Sequence, residues 1–395
     1  MSDAAPTHAP EVPMQRYARA IPLLLIVATA AAQPPRTGKT RVYYIAADEV
    51  LWNYAPSGLD VISGMPFRGP QEVWTKRGPT TIGTTYRKAL FREYTDSTFK
   101  SLKPRPPDWE HLGYLGPVIH AEVGDSIRVV FRNNGTRPFS VHPHGVIYDK
   151  ASEGSPYADG TSGKNKDDDG VAPGRTYTYR WFASERAGPT AAEPSSAFWM
   201  YHSHVQEAMD VNAGLVGPMI ISARGRAKPD GSPNDVDREI VMAFAEIDEN
   251  MSHYIEANIK QFALEPDKTE RWRGGPTFTH PLFVTNLKET MNGFVYGNGP
   301  MPRVTMGERV RWYIMSTTNF EVHAPHWHGN VVTAQHMRTD VLNLGTMGMI
   351  VADMIPDNPG TWLFHCHIEP HQTAGMSARF VVEPLGTRTV LRDGQ

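Results

Sequence analysis

The 395-residue chain contains a single cysteine, Cys366, so no disulfide can form within it. It has no basic run, and its formal net charge of -3 leaves no cationic face for a nucleic-acid backbone, which argues against nucleic acid as a partner. Long apolar runs are absent as well. The best, Ile21–Ala28, is too short to cross a bilayer comfortably; Arg16 and Arg19 precede it and Ala30-Ala31-Ala32 follows. That arrangement reads as a secretory signal over residues 1–32, with Met14 as an alternative start and a short membrane anchor as the competing reading. The expectation is an exported chain, periplasmic or extracellular. In such a space a lone thiol persists if it is buried and inert or if a metal protects it.

Helical periodicity is also scarce, with Tyr254–Phe262 and Glu207–Val211 the best candidates. What the chain has instead is 34 glycines and 33 prolines separating short runs rich in β-branched and aromatic residues. Val42–Ala47, Ser126–Phe131, Tyr177–Phe182, Leu215–Ile221, Glu239–Phe244, Arg309–Ile314 and Ser377–Val382 read as strands. The pattern is all-β, most simply β-sandwiches.

The pattern also occurs twice. Pro117-Val-Ile-His-Ala-Glu-Val-Gly-Asp leads to His142-Pro-His144-Gly, and Pro302-Arg-Val-Thr-Met-Gly-Glu leads to His326-Trp-His328-Gly. Each copy then reaches an aromatic strand ending in a second pair, Trp199-Met-Tyr-His202-Ser-His204 or Trp362-Leu-Phe-His365-Cys-His367. Two copies of one sandwich account for this. The expected boundaries are 38–225 for the first domain, 226–237 for a polar linker, 238–386 for the second domain and 387–395 for a tail.

Ten of the 16 histidines lie in four clusters: His142/His144, His202/His204, His323/His326/His328 and His365/His367/His371. In a strand, residues i and i+2 point to one side, so each pair can aim two imidazoles at one point. Imidazole alone suits copper, zinc, iron or nickel. Cys366 narrows the choice. It lies between two histidines and must face the opposite way, toward a second site that His371, Met376 and His323 can reach. Two histidines, a thiolate and a thioether make the donor set of a blue copper; zinc and an inert buried cysteine are the competing readings.

At this point a resemblance is plain. His323-Ala-Pro-His-Trp-His-Gly and His365-Cys-His-Ile-Glu-Pro-His-Gln-Thr-Ala-Gly-Met376 resemble two signature motifs of the multicopper oxidases, and His142-Pro-His-Gly and His202-Ser-His resemble the other two. Asp48-Glu-Val-Leu-Trp-Asn-Tyr-Ala-Pro, Lys150-Ala-Ser-Glu-Gly and Asp248-Glu-Asn-Met-Ser are similar to the ceruloplasmin and hephaestin branch. The resemblance covers nearly all of the chain after residue 32. It implies two tandem cupredoxin-like Greek-key β-sandwich domains. It also implies four coppers per chain, one type 1, one type 2 and a type 3 pair, and oxidation of a small reductant (Fe(II), phenols or Cu(I)) coupled to reduction of O2 to water.

By motif position, His323, Cys366, His371 and Met376 would hold type 1 copper, and His142 and His326 type 2 copper. His144, His202 and His367 would hold one type 3 copper, and His204, His328 and His365 the other. Cys366, His365 and His367 would then be the catalytic link between the sites. Aligned by residue count, the first copy has Phe139, Ser203, Ala208 and Ala213 where the second has His323, Cys366, His371 and Met376, so one type 1 site is expected. Family members with two domains share the cluster between subunits, which implies a homotrimer; assembly within one chain is the alternative.

Weaker features complete the reading. Lys150, Asp159, Asp168 and Asp169 resemble a calcium loop, though acidic runs are often simply solvated. Met337, Met347, Met349 and Met354 are candidate Cu(I) contacts or gap-filling core residues. Where relatives carry an acid before the second type 1 histidine, this chain has Pro370, leaving Glu369, Glu207 and Asp210 as candidate proton carriers. Rival functions are a copper nitrite reductase and a non-catalytic copper-binding protein.

Overall fold

The computed structural model describes residues 38–268, 281–317 and 321–386. The signal segment 1–32, Met14 and the tail 387–395 lie outside them. Each strand expected from composition falls within an observed strand, with Leu215 and Arg309 just outside an end, and the two helices form at Glu207–Ala213 and Ile255–Phe262. Among the described residues no helix is long and apolar enough to cross a membrane.

Among the described residues four main sheets form, and none mixes strands of the first half, ending at Ser222, with strands of the second, starting at Arg238. The first half builds a sheet in the order Thr85–Glu93, Thr40–Asn53, Ser126–Asn133, Thr176–Phe182. Its second sheet runs Ile119–Glu122, Val216–Ser222, Ser196–His202, His142–Pro143. The second half repeats both orders. Leu287–Met291, Arg238–Asp248, Val310–Ser316 and Met349–Met354 make one sheet, extended by the short strands Val332–Ala334 and Met337–Thr339. Arg303–Thr305, Ser377–Glu383, Gly360–Cys366 and Pro325–Trp327 make the other. Even the parallel pairings recur: Thr40–Asn53 with Ser126–Asn133 in one half, Arg238–Asp248 with Val310–Ser316 in the other. The chain folds as two copies of one cupredoxin-like sandwich.

Side-chain alternation explains how the copies join. In Arg238–Asp248, Ile240, Met242 and Phe244 enter the core of the second sandwich beside Trp312, Phe364 and Phe380. The intervening Val241, Ala243, Ala245 and Ile247 face a separate apolar core shared with Tyr54, Tyr86, Leu115 and Val216 of the first sandwich. A strand buried on both faces reads as a continuous apolar run, and this one does. Polar contacts cross the same seam. Lys88 Nζ donates to Glu249 Oε1 at 2.6 Å, both side chains fully buried, and the Tyr54 hydroxyl donates to the same oxygen at 2.5 Å. Arg311 bridges Asp353 at 2.7 Å and the hydroxyls of Ser195 and Ser196 at 2.9 and 3.0 Å.

Candidate metal centre

Each histidine pair sits where a strand of one sandwich ends. His142 stands opposite His202, and His326 stands opposite His365, in equivalent antiparallel pairings. The glycine after each first pair has a reason to be glycine. Gly145 and Gly329 both adopt positive φ (77° and 67°), and a Cβ would lie 2.4 Å and 2.5 Å from the indoles of Trp199 and Trp362. The aromatic residue three positions before each second pair thus packs under the turn that follows the first.

In the first sandwich His142, His144, His202 and His204 form one quartet, with His142 5.1 to 5.6 Å from the other three rings. His144 and His202 point their Nε2 atoms at each other, 3.0 Å apart. In the second sandwich His326, His328, His365 and His367 form the matching quartet, with His328 and His365 Nε2 atoms also 3.0 Å apart. The orientation is built in by backbone carbonyls. Nδ1 of His142, His202, His326 and His365 contacts the carbonyls of Glu153, Ser203, Asp340 and Cys366 at 2.6 to 3.0 Å. A ring that donates from Nδ1 presents the lone pair of Nε2 outward.

Burial disfavours the charged form of the innermost rings. It lowers the pKa of His202 to about 3 and those of His144 and His365 to about 4, with neighbouring histidines adding to the effect. Among the described residues no ring or hydrogen-bond contact joins a histidine of one quartet to one of the other. The chain therefore brings together His144 with His202, and His328 with His365, but not His142 with His326, nor His367 or His204 with their expected partners.

The other side of the His365-Cys366-His367 strand end holds the second site. Cys366 Sγ lies 3.6 Å from His371 Nδ1, and His323 joins them, one donor atom from each falling within 4.8 Å of the others. His323 is 2 % exposed, yet neither ring nitrogen has a hydrogen-bond partner. A buried polar ring left unpaired on both nitrogens is costly unless a ligand completes it. Burial depresses its pKa to about 3 and raises that of Cys366. The backbone N–H of Ala324 donates to Sγ at 3.3 Å, and that of Cys366 donates to the carbonyl of fully buried Met376 at 3.1 Å. The donor set fits copper.

The same backbone bonds correct the alignment of the two copies. Ser203 N–H bonds the Leu215 carbonyl as Cys366 N–H bonds Met376, and Leu215 N–H bonds the Asp210 carbonyl as Met376 N–H bonds His371. The helix Glu207–Ala213 is two residues longer than its counterpart Glu369–Thr373. Counting along the sequence therefore gave Ala208 and Ala213 where the structure gives Asp210 and Leu215. The site is not empty of chemistry: Ser203 Oγ donates to Asp210 Oδ2 at 2.7 Å, and His253 Nε2 meets Asp210 Oδ1 at 2.7 Å. Phe139 does occupy the His323 position, with equivalent backbone bridges to Val171 and to Leu344.

Three carboxylates, one of them beside His371, escaped sequence reasoning. Glu246 and Glu289 face each other across the strand pair Arg238–Asp248 and Leu287–Met291. Glu321 lies 3.5 Å from His371 Nε2 and adds to burial in raising the pKa of Glu246 and Glu289. Glu289 is 6 % exposed, its Oε2 has no hydrogen-bond partner, and burial followed by Glu246 holds its pKa well above the usual range. Glu246 in the apolar run of Arg238–Asp248 was the available signal; its pairing with Glu289 needed the register.

The remaining candidates separate. Glu369 is exposed and accepts a hydrogen bond from Thr373, whereas Glu207 lies 3.3 Å from His204 Nε2. Met354 is core, and Met347 and Met349 pack on the shared core, while Met337 is 60 % exposed. In the candidate calcium loop, Lys166 Nζ lies 3.0 Å from Asp159 and 3.1 Å from Asp169, and Lys150 lies 3.3 Å from Asp159. Asp168 turns inward instead and accepts the Gly154 N–H at 2.7 Å. Among the described residues these acids do not converge on one point as the histidines do.

Comparison with known proteins agrees with this fold. Solved structures with the same fold include a multicopper oxidase termed mgLAC (TM-score 0.53, 18% identity, 90% of this chain and 91% of that one) and a copper nitrite reductase from Nitrosomonas europaea (TM-score 0.53, 17% identity, 87% and 94%). At the level of sequence, the multicopper oxidase family matches twice, over residues 112–226 and 273–386. The chain belongs to that family. It is 41% identical over 349 residues to the ferroxidase HEPHL1 of Homo sapiens, covering 87% of this chain and 29% of the relative. It is 38% identical over 351 residues to hephaestin of Homo sapiens (88% and 30%) and 39% identical over 353 residues to ceruloplasmin of Ovis aries (88% and 33%). The chain spans about a third of the length of these relatives.

Proposed function

We propose that the protein is a copper-dependent oxidase that takes electrons from a small metal-ion reductant and delivers them to O2. The observation that carries this reading is the placement of Cys366. Its side chain faces His323 and His371, while its two neighbours, His365 and His367, belong to the quartet on the other side of the strand. His323, Cys366, His371 and Met376 would hold type 1 copper, and the eight quartet histidines would hold the type 2 and type 3 coppers. Bound copper would supply the redox chemistry, one-electron oxidation of the reductant coupled to four-electron reduction of O2 to water.

The chain's own groups supply the rest. The backbone of Cys366 and its flanking histidines gives the two sites a covalent connection. Glu321 offers a hard oxygen donor beside His371, and the facing pair Glu246 and Glu289 lies within electrostatic range of Glu321, which suits a cation such as Fe(II) more than a neutral phenol. A bound cation would draw the raised Glu289 and Glu246 carboxyls into their ionised forms. Glu207, next to His204, is placed to pass protons to the oxygen-reducing side.

The two quartets remain apart within one chain, and His367 is exposed. We therefore place the complete cluster between subunits, the first sandwich of one chain meeting the second sandwich of the next. Such a heterologous contact closes into a ring, and the ring we propose is a homotrimer. An exported location fits this chemistry and remains part of the proposal.

Oxygen uptake by copper-loaded protein, compared with Fe(II), Cu(I) and a methoxyphenol as reductants, tests the reading. Fe(II) should support the fastest uptake. Replacing Glu246 and Glu289 together with glutamine should raise KM for Fe(II) while sparing the blue absorption. Unchanged Fe(II) kinetics in that variant would remove the metal-ion substrate, and nitrite turnover without oxygen uptake would favour the reductase.

A further inference from the structure

The segment 150–155 touches two quartet histidines from one side. The Glu153 carbonyl meets His142 Nδ1 at 2.6 Å, and the Ser155 hydroxyl meets His204 Nδ1 at 3.0 Å. Neither contact is local in sequence. The residue between them, Gly154, adopts φ 73°, and a Cβ there would lie 2.6 Å from the Val141 carbonyl, so the segment lies flat against the strand carrying His142.

Its position is fixed by buried polar groups. Gly154 N–H donates to Asp168 Oδ2 at 2.7 Å, and the Gly154 carbonyl accepts from Ser140 Oγ at 2.6 Å. The same Ser140 oxygen accepts the backbone N–H of His204 at 3.0 Å. Trp181 Nε1 and the Tyr177 hydroxyl hold the Ser152 and Ala151 carbonyls at 3.0 and 2.6 Å. Asp168 is completely buried, and its second oxygen, Oδ1, has no partner. At the outer edge Lys150 pairs with Glu153 and Asp159, and Lys166 pairs with Asp159 and Asp169. The second sandwich has only part of this arrangement: the Asp340 carbonyl meets His326 Nδ1 at 3.0 Å.

We propose that Lys150–Ser155 is a positioning strap for the copper ligands of the first sandwich, and that buried Asp168 anchors it. Glu153 and Ser155 hold the Nδ1 side of His142 and His204, so that both rings offer Nε2 to a metal. The loop that resembles a calcium site thereby acts through hydrogen bonding, with the ammonium groups of Lys150 and Lys166 balancing its outer carboxylates. Ser155 and Asp168 are positioning residues; neither needs to touch copper. The inference rests on the copper reading above.

The test compares Ser155→Ala with Ser155→Thr, and Asp168→Ala with Asp168→Asn. Copper retained per chain is measured by dialysis against graded chelator, and the type 2 signal by electron paramagnetic resonance; the blue absorption of the second sandwich serves as the internal control. Ser155→Ala and Asp168→Ala should lose cluster copper about 10- to 100-fold more readily and shift the type 2 signal, with the blue band intact. Threonine keeps the hydroxyl and asparagine keeps an acceptor for Gly154, so both should behave as the natural chain. Wild-type retention and an unchanged signal in Ser155→Ala would overturn the proposal, even if Asp168→Ala fails to fold. Asp168→Asn failing like Asp168→Ala would show that charge, hence a bound cation, is what matters, and would overturn it too. A natural chain with no type 2 signal would refute the copper reading instead. Nitrogen NMR of the metal-free protein then decides the strap, which predicts that His204 holds its Nδ1–H tautomer until Ser155 becomes alanine.

Discussion

Mixing two variants expected to be inactive tests where the proposed oxygen-reducing cluster forms. His142→Ala disables the quartet of the first sandwich, and His326→Ala disables that of the second. Each variant alone has no intact cluster, whichever way the quartets meet. If clusters form between subunits, a mixed ring regains function wherever an intact first sandwich from a His326→Ala chain meets an intact second sandwich from a His142→Ala chain. With random assembly and a fraction x of one variant, intact contacts number x(1 − x) of the total, reaching about one-quarter of wild-type oxygen uptake at equal amounts. The parabola is the signature, since contamination or partial activity of one variant would vary linearly with x. The assay is steady-state oxygen uptake after co-expression at several ratios, normalised to blue absorption, which both variants keep. Zero activity at every ratio would place the complete cluster within single chains and refute the inference drawn from the separated quartets.

Other outcomes follow from the same contacts. His144, His202, His323 and His365 are neutral in the folded metal-free protein and protonate more readily once unfolded, because burial lowers their folded pKa values to about 3 or 4. The unfolded state therefore binds more protons below about pH 6.5, and each such group lowers stability by up to about 1.4 kcal/mol per pH unit as pH falls toward the folded values. Urea titrations of the copper-free protein between pH 7 and 5 should show this fall; a flat profile would mean the rings are not buried neutral. Glu249→Ala leaves the Lys88 ammonium buried without its carboxylate and should cost about 3–5 kcal/mol, read as a lowered urea midpoint, whereas Lys88→Met with Glu249→Leu should cost much less. Placing His, Cys, His and Met at Phe139, Ser203, Asp210 and Leu215 should raise blue absorption per chain about twofold, while the same change using Ala208 and Ala213 in place of Asp210 and Leu215 should not.

The clustering of the histidines and Cys366 was legible because strand geometry is itself written in the sequence. A His-x-His pair aims both rings one way with no further information, and Cys366 between two histidines had to face the other way. The strands were legible for a similar reason: short runs rich in β-branched and aromatic residues, such as Ser126–Phe131 after Gly124-Asp125, follow turn residues and have little alternative. What escaped depended on distance in the chain. Glu246 and Glu289 become a pair only through the register of two strands separated by some forty residues. Ser155 reaches His204 across 49 positions, and Ser140 links the His204 backbone to Gly154 of the strap. The two extra residues in Glu207–Ala213 shifted a count that backbone hydrogen bonds then set right, turning two inert alanines into Asp210 and Leu215. The acidic loop carried the right residue types for calcium, but where Lys166 and Gly154 would sit could be decided only by folding.

Copper titration of the natural chain and of Cys366→Ser, followed by visible absorption and electron paramagnetic resonance, tests the central claim most directly. The account predicts four coppers per natural chain, a blue band from one of them, and a Cys366→Ser protein that loses that band and its oxygen uptake while retaining the type 2 signal. A Cys366→Ser protein that still reduces O2 at the natural rate, or a natural chain that binds copper without turning blue, would contradict it.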